Sequence, residues 1–385
     1  MAVTLTSADK ALKSLYLDVV AEQLNYKVNP LLAQIKQNSD DVWGKEVRKL
    51  AIYGMNGGIG AGTEEGNLPS SGGNNYEQFT LTLKNLYGTI EISDKAVRAS
   101  ENNSGAFVSL LNSEMEGLIK ASSFNFGRML FGDGSGVLGT ISAVSSNTLT
   151  LDSVKNVIEG MIVDVKTSAG VDVVTGKKVV AVDRATKKIT LSGVGSAAAT
   201  DIVTVQGSYN NELTGLKAIF GSSATLYGLT RASHSFLNPY KMTSCGSITE
   251  AKIQTALDTI EEQSGGAINF IVCSWGVRRA IQNLFASNKR YIDTMELAGG
   301  YKALSYNGIP IVADRFCPDG TMYLLNTDDF TLCQLCDWQW LTGDDGRVLK
   351  QVAGKPVYNA TLVKYADLLC ARPIGQGVIT GITEA

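Results

Sequence analysis

Residues 54–75, GMNGGIGAGTEEGNLPSSGGNN, limit the possible folds more than any other stretch of the chain. So dense a run of Gly, Asn and Ser cannot bury enough apolar surface to offset the entropy of ordering it. It must therefore project from the body as the tip of a long loop. Its flanks are extended: an outgoing arm over about 45–53, and a return arm in which Phe79, Leu81 and Leu83 alternate with Thr80, Thr82 and Lys84. A period of two makes this a strand with one apolar face. Ile90 and Ile92 fall on the opposite parity, which predicts a bulge or break near 85–88.

The hairpin feeds a helical run. From Ser104 to Phe131 there is no proline, and Phe107, Leu110, Leu111, Met115, Leu118 and Ala121 recur at helical spacing. At ~1.5 Å per residue the helix would be about 40 Å long. Ser104 is the expected N-cap and Gly132 the stop. A hairpin that cannot fold alone, beside a helix longer than one core requires, points to a subunit completed by its neighbours.

Composition narrows the function. The net charge of −3, from 34 basic and 37 acidic residues, includes no basic tail to neutralise phosphates, which argues against sequence-specific nucleic-acid binding. The start of the chain lacks a charged segment followed by an apolar run, and no stretch approaches the roughly 18 apolar residues of a membrane span. The expectation is a soluble protein made in a cytoplasm, with no membrane partner. Six cysteines, Cys245, Cys273, Cys317, Cys333, Cys336 and Cys370, lie mostly in apolar strand-like runs, the pattern of reduced, buried thiols.

In chain order, Ser7 is the expected cap, by residue type, for a helix carrying Leu12, Leu15, Val19 and Val20. Asn29-Pro30 breaks it before Leu31, Leu32 and Ile35. Periodicity shows an apolar face but not its owner, which is either this domain or another subunit. After the flexible joint 132–136 the texture changes. Over 137–206, short β-branched runs alternate with turn signals, predicting a small barrel or sandwich inserted into a surface loop. Residues 210–240 form a turn-rich connection. A Ser247-Ile-Thr-Glu250 capping box then opens a helix burying Ile253, Ala256, Leu257 and Ile260, which stops at Gly265-Gly266. After a strand at 268–273, Ser274 caps a second helix with Val277, Ile281, Leu284 and Phe285 on one stripe. Strands follow at 309–313, 322–326 and 330–335, and strand-like runs at 358–371 and 377–382 close an α+β half.

Catalytic readings are weak. Gly60-Ala-Gly62 is followed by Glu65 where a dinucleotide fingerprint needs its third glycine, and the next element is a strand. Cys333-Gln-Leu-Cys336 has no second pair, and the only histidine is His234. Around Ser274 the sequence VCSWG has valine in place of the first glycine of a nucleophile elbow. Asp344 and Asp345 sit in a Gly-rich turn, where solvated carboxylates are the default. The expectation is no enzyme: no catalytic residues, no cofactor and no metal site.

The order of parts, with stretches such as FGDGSGVLGTISAV, NNELTGL, NGIPIVADRF and ADLLCARPIGQG, resembles the major capsid protein of tailed bacteriophages, a fold shared with encapsulins. The resemblance implies an α+β Hong Kong ninety-seven-type fold. It divides the chain into an N-terminal arm over 1–43, an extended β-hairpin loop over 44–93 and a peripheral domain with the spine helix over 94–136. These are followed by an inserted β-barrel-like domain over 137–206, a connection over 207–240, an axial α+β domain over 241–355, and terminal strands over 356–385 returning to the peripheral domain. It implies self-assembly into pentamers and hexamers of an icosahedral shell around double-stranded DNA held without sequence-specific contacts. Some relatives crosslink through a lysine on the extended loop. Here Lys49 and Lys84 are consecutive lysines, so the tip has none. With about 43 residues before the hairpin, a separate scaffolding protein and a portal are the expected partners. Glu64, Glu65 and Leu68 on the tip, and Leu12, Leu15 and Val19 on the arm, are the expected contacts between subunits. An encapsulin-like compartment and a β-rich tail or surface recognition protein are the alternatives.

Overall fold

The structure, a computed structural model, describes residues 29–40, 42, 46–95, 104–287, 294–297, 301–342, 346 and 348–385. The helix expected around Leu12, Leu15 and Val19 lies outside these residues, as do Asp344 and Asp345.

The strand Val357–Cys370 organises the first body. Its Ala360, Leu362, Val363, Ala366, Leu368 and Leu369 are buried, and partners line both of its edges. One edge pairs antiparallel with Lys84–Ser93, from Val357 opposite Ser93 to Ala366 opposite Lys84. The other takes Phe330–Trp340 and the short Lys350–Gln351. Lys36–Asn38 joins the far side of Phe330–Trp340 in parallel, and the preceding turn Pro30–Gln34 places Leu31 and Leu32 in the same core.

The long helix Ser104–Leu130 packs on this sheet through Met115, Ile119, Phe126, Met129 and Leu130. Those residues share one face of the helix, and Ala121 falls off it and is exposed, contrary to the expectation from spacing. Lys364 crosses beneath the helix with no exposed side-chain surface. Its ammonium donates to Gln334 Oε1 (2.8 Å) and Asp337 Oδ1 (2.6 Å) and lies 5.2 Å from the Phe126 ring.

The second body is a seven-stranded mixed sheet in the order Tyr240–Met242, Gly377–Ile379, Met322–Leu325, Phe270–Cys273, Ile309–Ala313, Tyr301–Tyr306, Thr294–Leu297. All four residues of Phe270–Cys273 are buried because both faces are covered. Phe270 and Val272 reach the first body's core, while Ile271 and Cys273 meet the helices Glu250–Ser264 and Trp275–Ser287. The first of these helices is capped by Thr249, whose hydroxyl accepts from Lys252 N–H (3.3 Å), and not by Ser247. Ile248 is drawn into the core, so the chain stays extended for two residues longer than the capping box predicts. Gly265, at φ +65°, supplies the left-handed stop.

Two strands lie elsewhere than the division of the sequence puts them. Phe330–Trp340 belongs to the first sheet and not to the axial region 241–355, and Gly377–Ile379 belongs to the seven-stranded sheet and not to the terminal strands returning to the first. The chain changes bodies at 326–329 and again at 371–376. Asp329 fastens the two crossings together, accepting from Arg372 Nε (3.2 Å) and Gln376 Nε2 (3.0 Å).

The third body is a closed six-stranded barrel. It comprises Val137–Ser145, Thr148–Leu151, Ile162–Lys166, Asp172–Asp183, Lys188–Leu191 and Ile202–Val205, around a core that includes Leu149, Val163, Val165, Val179, Ile189 and Val203. Its two connections run side by side: Asn210 N–H donates to Ser135 O (3.0 Å) and Glu212 N–H to Gly134 O (3.3 Å). Gly136, at φ +74°, lies so close to Ser208 that a Cβ there would sit 2.5 Å from the Ser208 carbonyl. Below this neck Arg128, at the end of the long helix, grips Glu212 through two bonds, Nη1 to Oε2 (2.9 Å) and Nη2 to Oε1, with both side chains at most 4% exposed.

Candidate interaction surface

The hairpin forms its own two-stranded sheet, Val47–Tyr53 against Asn75–Leu81, with Val47 opposite Leu81 and Tyr53 opposite Asn75. Period-two alternation gives it two different faces. The inner face, Val47, Phe79 and Leu81, is buried in the first body's core. Phe79 meets Tyr227 (5.5 Å between centroids) and Phe236 (6.2 Å), and Tyr53 stacks on Phe236 at 4.8 Å. Tyr227 ties this cluster to the central strand, its hydroxyl donating to Leu368 O (3.1 Å) and accepting from Cys370 N–H (3.0 Å). Thr80 N–H donates to Tyr227 O (3.0 Å). The return arm breaks between Leu81 and Lys84, earlier than the predicted 85–88, because the pairing partner changes there from the hairpin to Val357–Cys370.

On the outer face Leu50 (66% exposed), Ile52 (67%) and Tyr76 (54%) stand together, since Ile52 pairs with Tyr76 and Leu50 lies two residues along. Met55, Ile59 and Leu68 continue the exposed apolar surface into the tip. The sides of the tip touch at Gly58 and Gly72, where a Cβ on Gly72 would come within 2.4 Å of Gly58 N. That contact requires glycine at both positions. Beyond it Gly66 N–H donates to Thr63 O (3.1 Å), a tight turn that presents Glu64 and Glu65 to solvent. Leu68 is 91% exposed. Of the sequence-picked contacts, Glu64, Glu65 and Leu68 thus share one exposed tip. Leu50, Ile52 and Tyr76 are not among the contacts expected from the sequence, although the alternation of Phe79 and Leu81 on the paired strand fixes which face they take.

The residues weighed for chemistry have structural settings. His234 packs edge-on against Tyr53 (6.2 Å) and Phe236 (5.6 Å). Ser274 caps the helix Trp275–Ser287, accepting from Val277 N–H (3.3 Å) and donating to Glu384. Cys333 is buried and Cys336 half-buried, and a register shift lies between Gln334 and Cys336. Burial pushes the Cys273 thiol up to about 12 and Cys317 well above its ordinary value, so neither is a thiolate at neutral pH. Among the described residues no group of three or more His, Cys, Asp or Glu side chains could hold a metal ion. No described helix is long and apolar enough to cross a membrane.

Hairpin, long helix, the sheet around Val357–Cys370 and the seven-stranded sheet together form the fold of a phage major capsid protein. It is shared with the capsid subunit of cyanophage A-1(L), at a TM-score of 0.57 and 13% identity over 93% of this chain and 94% of that one. Residues 172–345 match the family model described as SU10 major capsid protein. A structure from Mycobacterium phage Adephagia aligns at 0.49 with 10% identity over 94% and 92% of the two chains. The SrpI encapsulin of Synechococcus elongatus PCC 7942 aligns at 0.45 with 10% identity over 80% and 78%. No curated protein matches the chain. Family match and fold support a structural capsid-shell protein, built from repeated subunits and carried in the virion.

Proposed function

We propose that the chain assembles as pentamers and hexamers into an icosahedral shell that holds packaged double-stranded DNA, with a separate scaffolding protein and a portal, and that it catalyses no reaction. The observation that carries this is the two-faced hairpin. Its inner face is satisfied within the subunit, and its outer face, Leu50, Ile52 and Tyr76, is exposed among the described residues. A second subunit laid over that face buries it, and repetition around a closed surface multiplies a modest contact into a stable container. Covering Leu50 and Ile52 contributes roughly 2–4 kcal/mol per contact, given about 1.5–3 kcal/mol for a fully buried aliphatic side chain. Leu50→Asp/Ile52→Asp should leave the subunit folded and abolish megadalton particles in negative-stain micrographs and sedimentation. Particles at wild-type yield would refute the reading. Nucleic-acid content of the particles separates a DNA shell from a compartment for protein cargo.

A further inference from the structure

A groove of about 640 Å³ lies where the barrel meets the end of the long helix and the loop after Ile309–Ala313. Phe131, Leu138, Val154 and Phe316 line its floor, and Lys155, Arg184, Lys187 and Lys217 stand around it. Two of these cations are engaged: Lys155 with Asp319 and with Cys317 O (2.6 Å), and Lys217 with Asp133 (2.8 Å). Arg184 and Lys187 are exposed and have no carboxylate partner among the described residues. Arg184 makes one long bond, from Nη2 to Val157 O at 3.4 Å. The one further carboxylate in the lining, Asp152, accepts from Thr140 N–H and Ser153 N–H (2.8 Å each), and the groove offers an apolar floor beside two cations that have no ion-pair partner among the described residues.

The hairpin tip has the complementary chemistry. Between residues 54 and 75 there is no lysine or arginine, and the two charges are Glu64 and Glu65, near the almost fully exposed Leu68. We infer that the tip of one subunit docks in this groove on a second copy of the chain, Glu64 and Glu65 facing Arg184 and Lys187 and Leu68 entering over the floor. The inference rests on the shell reading and adds to it an address for the tip and a role for the inserted barrel, since Arg184 and Lys187 both belong to the barrel. Lys177 and Lys178, also on the barrel, are the competing basic site, but they do not line this groove.

The test uses the full chain with a photo-crosslinking residue at Leu68, mixed with isotopically labelled copies so that crosslinks between subunits are recognised by mass. Crosslinks should fall on 152–156 and 184–187 of the other copy. In parallel, Glu64→Lys/Glu65→Lys and Arg184→Glu/Lys187→Glu should each lower particle yield about tenfold at low salt, and the four-site variant should recover most of it, as expected for a complementary charge pair. Thermal melts check that each variant folds. Particles whose crosslinks lie elsewhere, on Lys177 and Lys178 for instance, or a four-site variant no better than its parents, overturn the groove and leave the shell reading intact. A chain that stays monomeric and gives no crosslinks between subunits overturns both.

Discussion

The neck of the barrel makes a quantitative prediction. Arg128 and Glu212 are 4% and 2% exposed and share two charge-assisted bonds across 84 residues of sequence. Arg128 also donates to Asn125 Oδ1 at 3.2 and 3.1 Å, so removing Glu212 does not free the guanidinium to leave. Glu212→Gln keeps the shape and strands a buried charge. Breaking such a pair from one side costs about 3–5 kcal/mol. At about 1.4 kcal/mol per tenfold, that is a loss of at least a hundredfold in protection wherever the pair holds the structure closed. Hydrogen exchange read by mass spectrometry should show this loss in peptides covering 128–136 and 207–215. The barrel interior around Val163, Val179, Ile189 and Val203 should keep its protection, because a closed barrel with its own core does not need the neck to remain paired. Replacing both partners, Arg128→Met with Glu212→Leu, should recover most of the loss. Unchanged exchange at the neck would refute the argument, and so would a barrel that loses protection in step with it.

Two further outcomes follow from buried positions. Gly127→Ala places a Cβ 2.3 Å from Asn29 Oδ1 and 2.4 Å from the Phe316 ring. It should destabilise by about 1–3 kcal/mol in urea titrations despite the better helix propensity of alanine, and a higher midpoint would contradict it. Asp367 is pushed up from 3.8 to about 6, chiefly by burial, while Thr214 N–H (2.7 Å), the Thr214 hydroxyl (3.0 Å) and Leu368 N–H (2.9 Å) hold its carboxylate. The folded state therefore binds the proton more tightly than the unfolded chain, so this site's contribution is fully present below pH 3.8 and falls as the pH rises through about 6. Relative to Asp367→Asn, wild type should lose up to about 3 kcal/mol across that window, and parallel pH curves would refute the assignment. Asp314, likewise pushed up to about 6 by burial, titrates in both proteins and cancels.

Features set by local chemistry were legible in the sequence. The Gly-rich tip, the proline-free run ending in the helix Ser104–Leu130, the β-branched runs of the barrel and the stop at Gly265 each follow from a few neighbouring residues. Features decided by distant partners were not. Phe330–Trp340 and Gly377–Ile379 read as strands, but sheet membership depends on which edge is free, and for both that edge lies in the other body. Arg128 and Glu212 look like solvated charges until the neck brings them together, and Lys364 reads as a break in an apolar strand until Asp337 and Phe126 surround it. Ser247 satisfied a capping pattern that Thr249 fulfils, because the burial of Ile248 outweighs the choice between two hydroxyl caps.

The same division explains why the hairpin can act at a distance from its own core. A loop built only of residues 54–75 would point nowhere in particular, since its ordering entropy is unopposed. Here the direction is set at the base, where Tyr53, Phe79, Phe236 and Tyr227 clamp both strands to the central strand through Leu368 and Cys370. Gly58 and Gly72 then hold the sides of the tip together further out. The arm is thus aimed by its own subunit while the apolar surface of Leu50, Ile52 and Leu68 is exposed among the described residues. Pre-aiming removes part of the entropy that a partner would otherwise have to oppose, so a contact of a few side chains is enough to select one neighbour geometry.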